Sequence, residues 1–167
     1  MHAYVINLLQ SIERRRHIET ELAGSAIDAR FVRSVDGSEL ARAGRDRLVD
    51  AAAVARFPEW LTEGQIGCAL SHLNAYRQVV EAGDHAALVV EDDVRLPHDA
   101  VELVTELHEV VGGSEIALLY YRAFGEYRFS SRMGVELSSG RRLLYPSSCA
   151  GWSARPPMWS RARPRST

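Results

Sequence analysis

The sequence predicts an α/β fold with a mostly parallel sheet flanked by helices. Two observations carry this. Short apolar runs with β-branched members recur along the chain: AYVINLL at 3–9, ARFVRSV at 29–35, AALVVEDDV at 86–94 and EIALLYY at 115–121. Stretches of helix length, several of them opened by capping residues, separate those runs, and strands alternating with helices form parallel layers.

The elements follow in order. The strand at 3–9 is succeeded by Ser11, placed to cap a helix running to about Leu22, with Gly24 to stop it. ARFVRSV alternates apolar residues with arginine and ends at Asp36-Gly37, a turn pair. Residues 38–56 are rich in Ala and Arg and read as one or two surface helices. After Pro58, Thr62 caps a helix from about Glu63 to Ala82, with Gln65 in the third position of a capping box. Ile66, Leu70, Leu73 and Val80 are expected to form its core-facing stripe. Pro97 opens a helix through about Val111, and EIALLYY reads as another buried strand. The more polar stretch from Arg122 to Tyr145 has the turn residues of a hairpin. No internal repeat is present.

Composition narrows the class. A chain of 167 residues with 46% apolar and 25% charged residues is one soluble globular domain in size and balance. No apolar run approaches the ~20 residues of a spanning helix. The amino-terminal charges follow the apolar stretch instead of preceding it, the reverse of a secretory signal. Cys68 and Cys149 are too few for a disulfide scaffold. A cytoplasmic protein is expected. The net charge is −2, and all 20 basic residues are arginines spread along the chain, so nucleic-acid binding is discounted. Without lysine, no lysine mechanism is available.

Three constellations carry chemistry. Glu91-Asp92-Asp93 ends an apolar strand, and ligand sites in open α/β sheets lie at the carboxyl ends of strands. A hard cation such as Mg²⁺ or Mn²⁺, with a phosphate in its shell, would relieve the repulsion of three adjacent carboxylates. A solvated strand end whose acids cap the next helix explains the same residues. The motif also resembles the acidic pocket of receiver domains, but 90 residues precede Glu91, lysine is absent, and the only later aspartate is Asp99 in the following helix. That reading fails. In LTEGQIGCALSH, 61–72, Cys68, Ser71 and His72 share a helical face at i, i+3 and i+4. A zinc pair from Cys68 and His72 lacks two further ligands of convincing spacing. A Cys–His nucleophile pair is the alternative, and a small buried cysteine beside a hydrogen-bonded histidine accounts for both. Gly64 and Gly67 would let a backbone or a phosphate come close. In VINLLQSIERRR, 5–16, Asn7 ends a strand and Ser11 opens a helix carrying Arg14, Arg15 and Arg16, which suits a nucleotide cradle or a solvated helix surface.

In their order these motifs resemble glycosyltransferase family 25, whose members build lipooligosaccharide outer cores and whose animal relatives include collagen galactosyltransferases. The landmarks are VINL…S..RR at 5–15, SVDG at 34–37, LTEGQIGCALSH at 61–72 and LVVEDDV at 88–94, over roughly the first 95 residues. The family more usually has Glu where Gln65 stands and Ala where Ser34 stands. The resemblance implies a GT-A-like nucleotide-diphospho-sugar transferase fold and an inverting, metal-dependent transfer of a hexose. Galactose from UDP-galactose is expected ahead of glucose, and the acceptor is a lipooligosaccharide or other glycan. It implies that Glu91, Asp92 and Asp93 hold Mn²⁺ or Mg²⁺ against the donor diphosphate, and that Asn7, Ser11 and Arg15 lie near the nucleotide. Asp36, Gly37, Gly67, Ser71 and His72 would line the donor pocket. A glycan acceptor of this kind is compatible with peripheral association at the inner membrane.

The fold is expected to occupy 1–152, incomplete at its carboxyl end. Residues 153–167, SARPPMWSRARPRST, have no period of either kind and read as a disordered or out-of-frame tail. Met158-Trp159 can be encoded only by ATG TGG. In the frame beginning two bases into the Pro157 codon, Met-Trp-Ser reads Tyr-Val-Val when the Pro157 codon ends in T and Ser160 uses a TCN codon, and residues 161–165 can then read Ser-Arg-Ala-Ala-Ala under GC-rich codon choice. Family 25 members carry a segment like AYVVSRAAA there. The expectation is a frameshift near Arg155, and a gene whose alternative frame lacks those residues refutes it. An inactive, truncated fragment that at most binds nucleotide is then the alternative to a working transferase.

Overall fold

The computed structural model describes residues 1–44, 49–56, 61–111, 115–119 and 127–149. They fall into two units, Met1–Glu115 and the residues from Ile116 onward. The tail at 153–167 and Pro58 lie outside the described residues.

The first unit is built on a parallel sheet of strands β1 (His2–Asn7), β2 (Asp28–Arg33) and β3 (Leu88–Glu91), in the order β2-β1-β3. Helix α1 (Ile12–Leu22) links β1 to β2. Helices α2 (Gly37–Arg42), α3 (Ala51–Ala55) and α4 (Glu63–Ala82) come between β2 and β3, and α5 (Ala100–Val110) follows β3. The α/β class, the parallel pairing and the flanking helices agree with the sequence reading.

Alternation along β1 sorts the core into two layers. Ala3 and Val5 pack with Ile18 and Leu22 of α1, Leu88 and Val90 of β3, and Val104 of α5. Tyr4 and Ile6 point the other way, to Val32 and to Ala75 of α4, with Val89 alongside. Covering both faces suits an all-parallel sheet. Each fully buried Ile or Leu contributes about 1.5–3 kcal/mol of burial.

Helix α4 begins and ends where its local signals say. The Thr62 hydroxyl accepts from the Gln65 amide, the Gln65 side chain accepts from Thr62 N, and Gly83 ends the helix at φ +70. Its buried face differs from the expected stripe. Ile66 is buried, but Leu73 and Val80 are exposed, and the other buried positions are Gly67, Ser71 and Ala75. Small residues every fourth position let the helix approach more closely than leucines would.

Two further expectations are corrected. Asp36-Gly37 does not form a turn closing a strand: Asp36 caps α2, accepting from Ser38 N and Glu39 N. Within EIALLYY, residues 115–119 form no strand, and Ile116, Leu118 and Leu119 are exposed. Tyr120 and Tyr121 lie outside the described residues.

In the second unit, β4 (Tyr127–Glu136) and β5 (Arg142–Cys149) form an antiparallel hairpin with an irregular register near Phe129. Gly140, at φ +79, makes its turn, a conformation that glycine adopts without strain. The predicted hairpin is present, displaced a few residues toward the carboxyl end.

Candidate functional site

Strand order reverses at β1: the chain moves to β2 on one side and returns to β3 on the other. In open parallel sheets, the crevice at the carboxyl ends of two such strands is where ligands bind. Asn7 ends β1 there, and Asp92 and Asp93 follow the end of β3.

The period-2 alternation separates the three acids. Asp92 continues the side of Leu88 and Val90, toward α1, whereas Glu91 continues the side of Val89, toward α4. Asp92 is buried. Its Oδ2 accepts from Asn7 Nδ2 at 2.7 Å, and its Oδ1 lies 3.2 Å from Arg14 Nη1. The same Arg14 nitrogen stands 3.8 Å from Asp93 Oδ2, and Arg14 Nη2 donates to Ser11 Oγ at 3.0 Å. Asp93 is 62% exposed. A buried carboxylate is tolerated when both oxygens are engaged, and here Asn7 and Arg14 engage them.

Arg15 was expected near the nucleotide, and it turns elsewhere: its guanidinium pairs with Glu19 at 3.0 Å and stacks on the Phe31 ring. Arg14, its neighbour, is the arginine at the acids. Ser11 stands at the start of α1 without capping it through its side chain, leaving its hydroxyl to Arg14.

On the α4 side, Cys68 Sγ donates to Glu91 Oε1 at 3.7 Å, and His72 Nε2 lies 3.4 Å from the same oxygen. Tyr76 Oη is 3.5 Å from His72 Nδ1. Burial, and then the Glu91 charge, push the Cys68 thiol above its ordinary pKa.

The remaining expected residues sort by burial. Ser71 is fully buried and ties α4 to the loop after β2. It donates to Gly67 O at 2.7 Å, accepts from Val35 N at 2.8 Å and meets Ser34 Oγ at 3.0 Å. A Cβ on Gly67 would stand 2.7 Å from Val35 O, and one on Gly37 would overlap the Glu63 carbonyl. These two glycines and Ser71 hold the α2 and α4 starts together. Asp36 accepts from Ser38 Oγ and N, which hold its carboxyl below the usual range.

Between these parts runs a groove of about 370 Å³. Arg14 and Asp92 line it, as do Asp36, Gly64, Cys68 and Glu91. Gly64, in the first turn of α4, has open space where a side chain would stand. A second hollow of about 550 Å³ lies beyond Asp36, against Asn74, Arg77 and Glu81, away from the acids.

Residues 1–138 match the model of glycosyltransferase family 25 (LPS biosynthesis protein). The chain belongs to glycosyltransferase family 25. All the site residues named above fall within that match. The chain is 28% identical over 159 residues to a putative glycosyltransferase of Haemophilus influenzae, covering 91% of this chain and 53% of that protein. It is 32% identical over 100 residues to procollagen galactosyltransferase 1 of Danio rerio, 55% of this chain and 16% of the relative. A probable inactive glycosyltransferase 25 family member 3 of Bos taurus is 32% identical over 117 residues, 68% of this chain and 20% of that one. The chain thus spans about half the Haemophilus protein and a small part of the animal ones. Among the described residues, no helix of this family 25 chain is long and apolar enough to cross a membrane.

Proposed function

We propose that the chain carries the donor side of a glycosyltransferase that moves a hexose, galactose first among candidates, from a UDP-sugar to a lipooligosaccharide or other glycan acceptor. One observation carries the reading: in a family 25 chain, Asn7, Arg14, Asp92 and Asp93 converge at the switch point of a parallel sheet.

A divalent cation fits the acids. Asp92 Oδ1 and Asp93 Oδ2 both approach one Arg14 nitrogen, so an ion taken up between them would take that nitrogen's place and turn Arg14 toward the groove. Asp92 and Asp93 would hold Mn²⁺ or Mg²⁺, and the ion would offset the charge that develops on departing UDP. Glu91, turned toward α4, stands beside that pair.

The chain's own groups do the rest. Asn7 and Arg14 fix the Asp92 carboxylate, which keeps its position without a ligand. Arg14 lines the groove and supplies a guanidinium suited to a diphosphate. The open first turn of α4 at Gly64 leaves room for a phosphate near a helix amino terminus. In an inverting transfer, the acceptor oxygen bonds to the anomeric carbon as its bond to the UDP oxygen breaks. The acceptor proton passes to a base.

Calorimetric titration of the chain with UDP, in Mn²⁺ and then in EDTA, tests the donor site. Binding that requires Mn²⁺ is expected, and a folded chain that binds UDP in neither condition contradicts the reading. A second reading, nucleotide binding without transfer, is favoured by the exposed Ile116, Leu118 and Leu119 in a segment that reads as a strand. Release of UDP from UDP-galactose separates the two: turnover supports the transferase, and binding without turnover supports the second.

A further inference from the structure

The Cys68–His72 pair needs a third ligand before it can hold an ion, and the fold supplies one from another element. Cys68 and His72 project from one face of α4 at i and i+4, and β3 ends with Glu91 on the same side of the sheet. Their donor atoms all lie within 4.8 Å of one another. We propose that Cys68, His72 and Glu91 form a binding site for a borderline divalent cation, Zn²⁺ or Co²⁺, distinct from the Asp92–Asp93 pair.

The spacing suits the ion. Tetrahedral zinc with Zn–S of about 2.3 Å and Zn–N and Zn–O of about 2.0 Å sets its ligand atoms ~3.5 Å apart for sulfur and oxygen and ~3.3 Å for nitrogen and oxygen. The observed separations are 3.7 Å for Sγ to Oε1 and 3.4 Å for Nε2 to Oε1. The two separations to Glu91 thus match within a few tenths of an ångström, and Cys68 Sγ lies within 4.8 Å of the His72 donor atom, which an ion would draw closer. Both supporting elements are held in place. Gly67 packs on the Val35 and Gly37 backbones, Ser71 is fully buried, and β3 pairs with β1. Tyr76 Oη, near His72 Nδ1, can take that nitrogen's proton in a hydrogen bond and fix the ring with Nε2 toward the ion.

The donor set sets the preference. Thiolate and imidazole favour Zn²⁺ and Co²⁺, whereas the carboxylate pair at Asp92 and Asp93 suits Mg²⁺ and Mn²⁺. On binding, the Cys68 thiol loses its proton to solvent and a sulfur–metal bond forms. Three protein ligands leave a fourth position. Cys68 and Glu91 line the groove, so a water or an anionic oxygen of a groove ligand can take it. The site stands whether or not the chain transfers sugar, because its readout is the metal itself.

The test is a Co²⁺ titration of the full chain carrying Cys149→Ser, so that Cys68 is the only thiol. The expected result is a sulfur-to-cobalt charge-transfer absorption that saturates at one equivalent and collapses when Zn²⁺ is added. In that background Cys68→Ser abolishes the band, and Glu91→Gln weakens binding by about tenfold or more. A folded chain that shows no such band at millimolar Co²⁺ overturns the proposal, as does a band that survives Cys68→Ser. Alkylation of Cys68 without any substitution at the site gives an independent check. Zn²⁺ should slow it at least about tenfold, reversibly with EDTA, and an unchanged rate also overturns the proposal.

Discussion

The two ends of β1 each hold an acid beside an arginine, and the two arrangements differ in what they leave over. At the amino end, Asp84 accepts from Tyr4 Oη at 2.7 Å and from His2 Nδ1 at 2.8 Å, and Arg30 donates to Tyr4 Oη at 3.1 Å. Both Asp84 oxygens are engaged within the chain, so the cluster joins β1, β2 and the turn after α4. At the carboxyl end, Asp92 is equally engaged, but its neighbours Glu91 and Asp93 are 48% and 62% exposed. The first cluster closes on itself. The second ends in exposed carboxylates, with Glu91 and Asp92 lining a groove.

The largest effect should come from Asp92→Ala. It leaves the buried Asn7 amide without its acceptor and the half-exposed Arg14 without its partner, and orphaning a buried hydrogen-bonded group in this way costs about 2–3 kcal/mol. Urea unfolding should show that loss, with UDP binding lost too. Tyr4→Phe removes a hydrogen-bonded hydroxyl at the other end and should cost about 1–2 kcal/mol. It should leave UDP affinity unchanged, and a weakened affinity would break the division between the two ends.

Asp84 gives the comparison a pH dependence. Its hydrogen bond from Tyr4 first, and then the His2 contacts, hold its carboxyl below the ordinary value. A depressed carboxyl stabilises the fold above the unfolded pKa of about 3.9, and the contribution is lost as pH falls through the folded value. The acid limb of a stability–pH profile should therefore be shallower in Asp84→Asn, and an unaltered limb would show that the cluster contributes no such stabilisation. A smaller effect on stability belongs to Arg15→Ala. Its exposed pair with Glu19 and its stacking on Phe31 are together worth about 1 kcal/mol, and UDP binding should not change.

How much of this was legible follows from how local each signal is. The limits of α4 depend on Thr62, Gln65 and Gly83, all within a turn of the helix ends, and they read directly. Its buried face depends on the distance to the sheet, which small residues permit and which hydrophobic periodicity does not report, so the periodicity points Leu73 and Val80 inward although both are exposed. The positions of Asn7, Ser11 and the acids at strand ends and a helix start are readable because those boundaries mark themselves in the sequence. The choice between Arg14 and Arg15 is only partly local: both sit within a turn of Ser11, and Arg15 is held by Glu19 one turn on and by Phe31 from β2. The direction of Glu91 was in principle readable, because strand alternation sends it away from Asp92 and toward the Cys68–His72 face. The segment 115–119 has a strand's composition, but pairing partners, not composition, make a strand.

The most direct test of the open carboxyl end is Asp93→Ala, with UDP binding measured by calorimetry in Mn²⁺ beside an unfolding curve. The site predicts that metal-dependent UDP binding disappears while stability moves by no more than about 0.5 kcal/mol, since Asp93 is an exposed side chain. Undiminished Mn²⁺-dependent binding in the folded variant would contradict it.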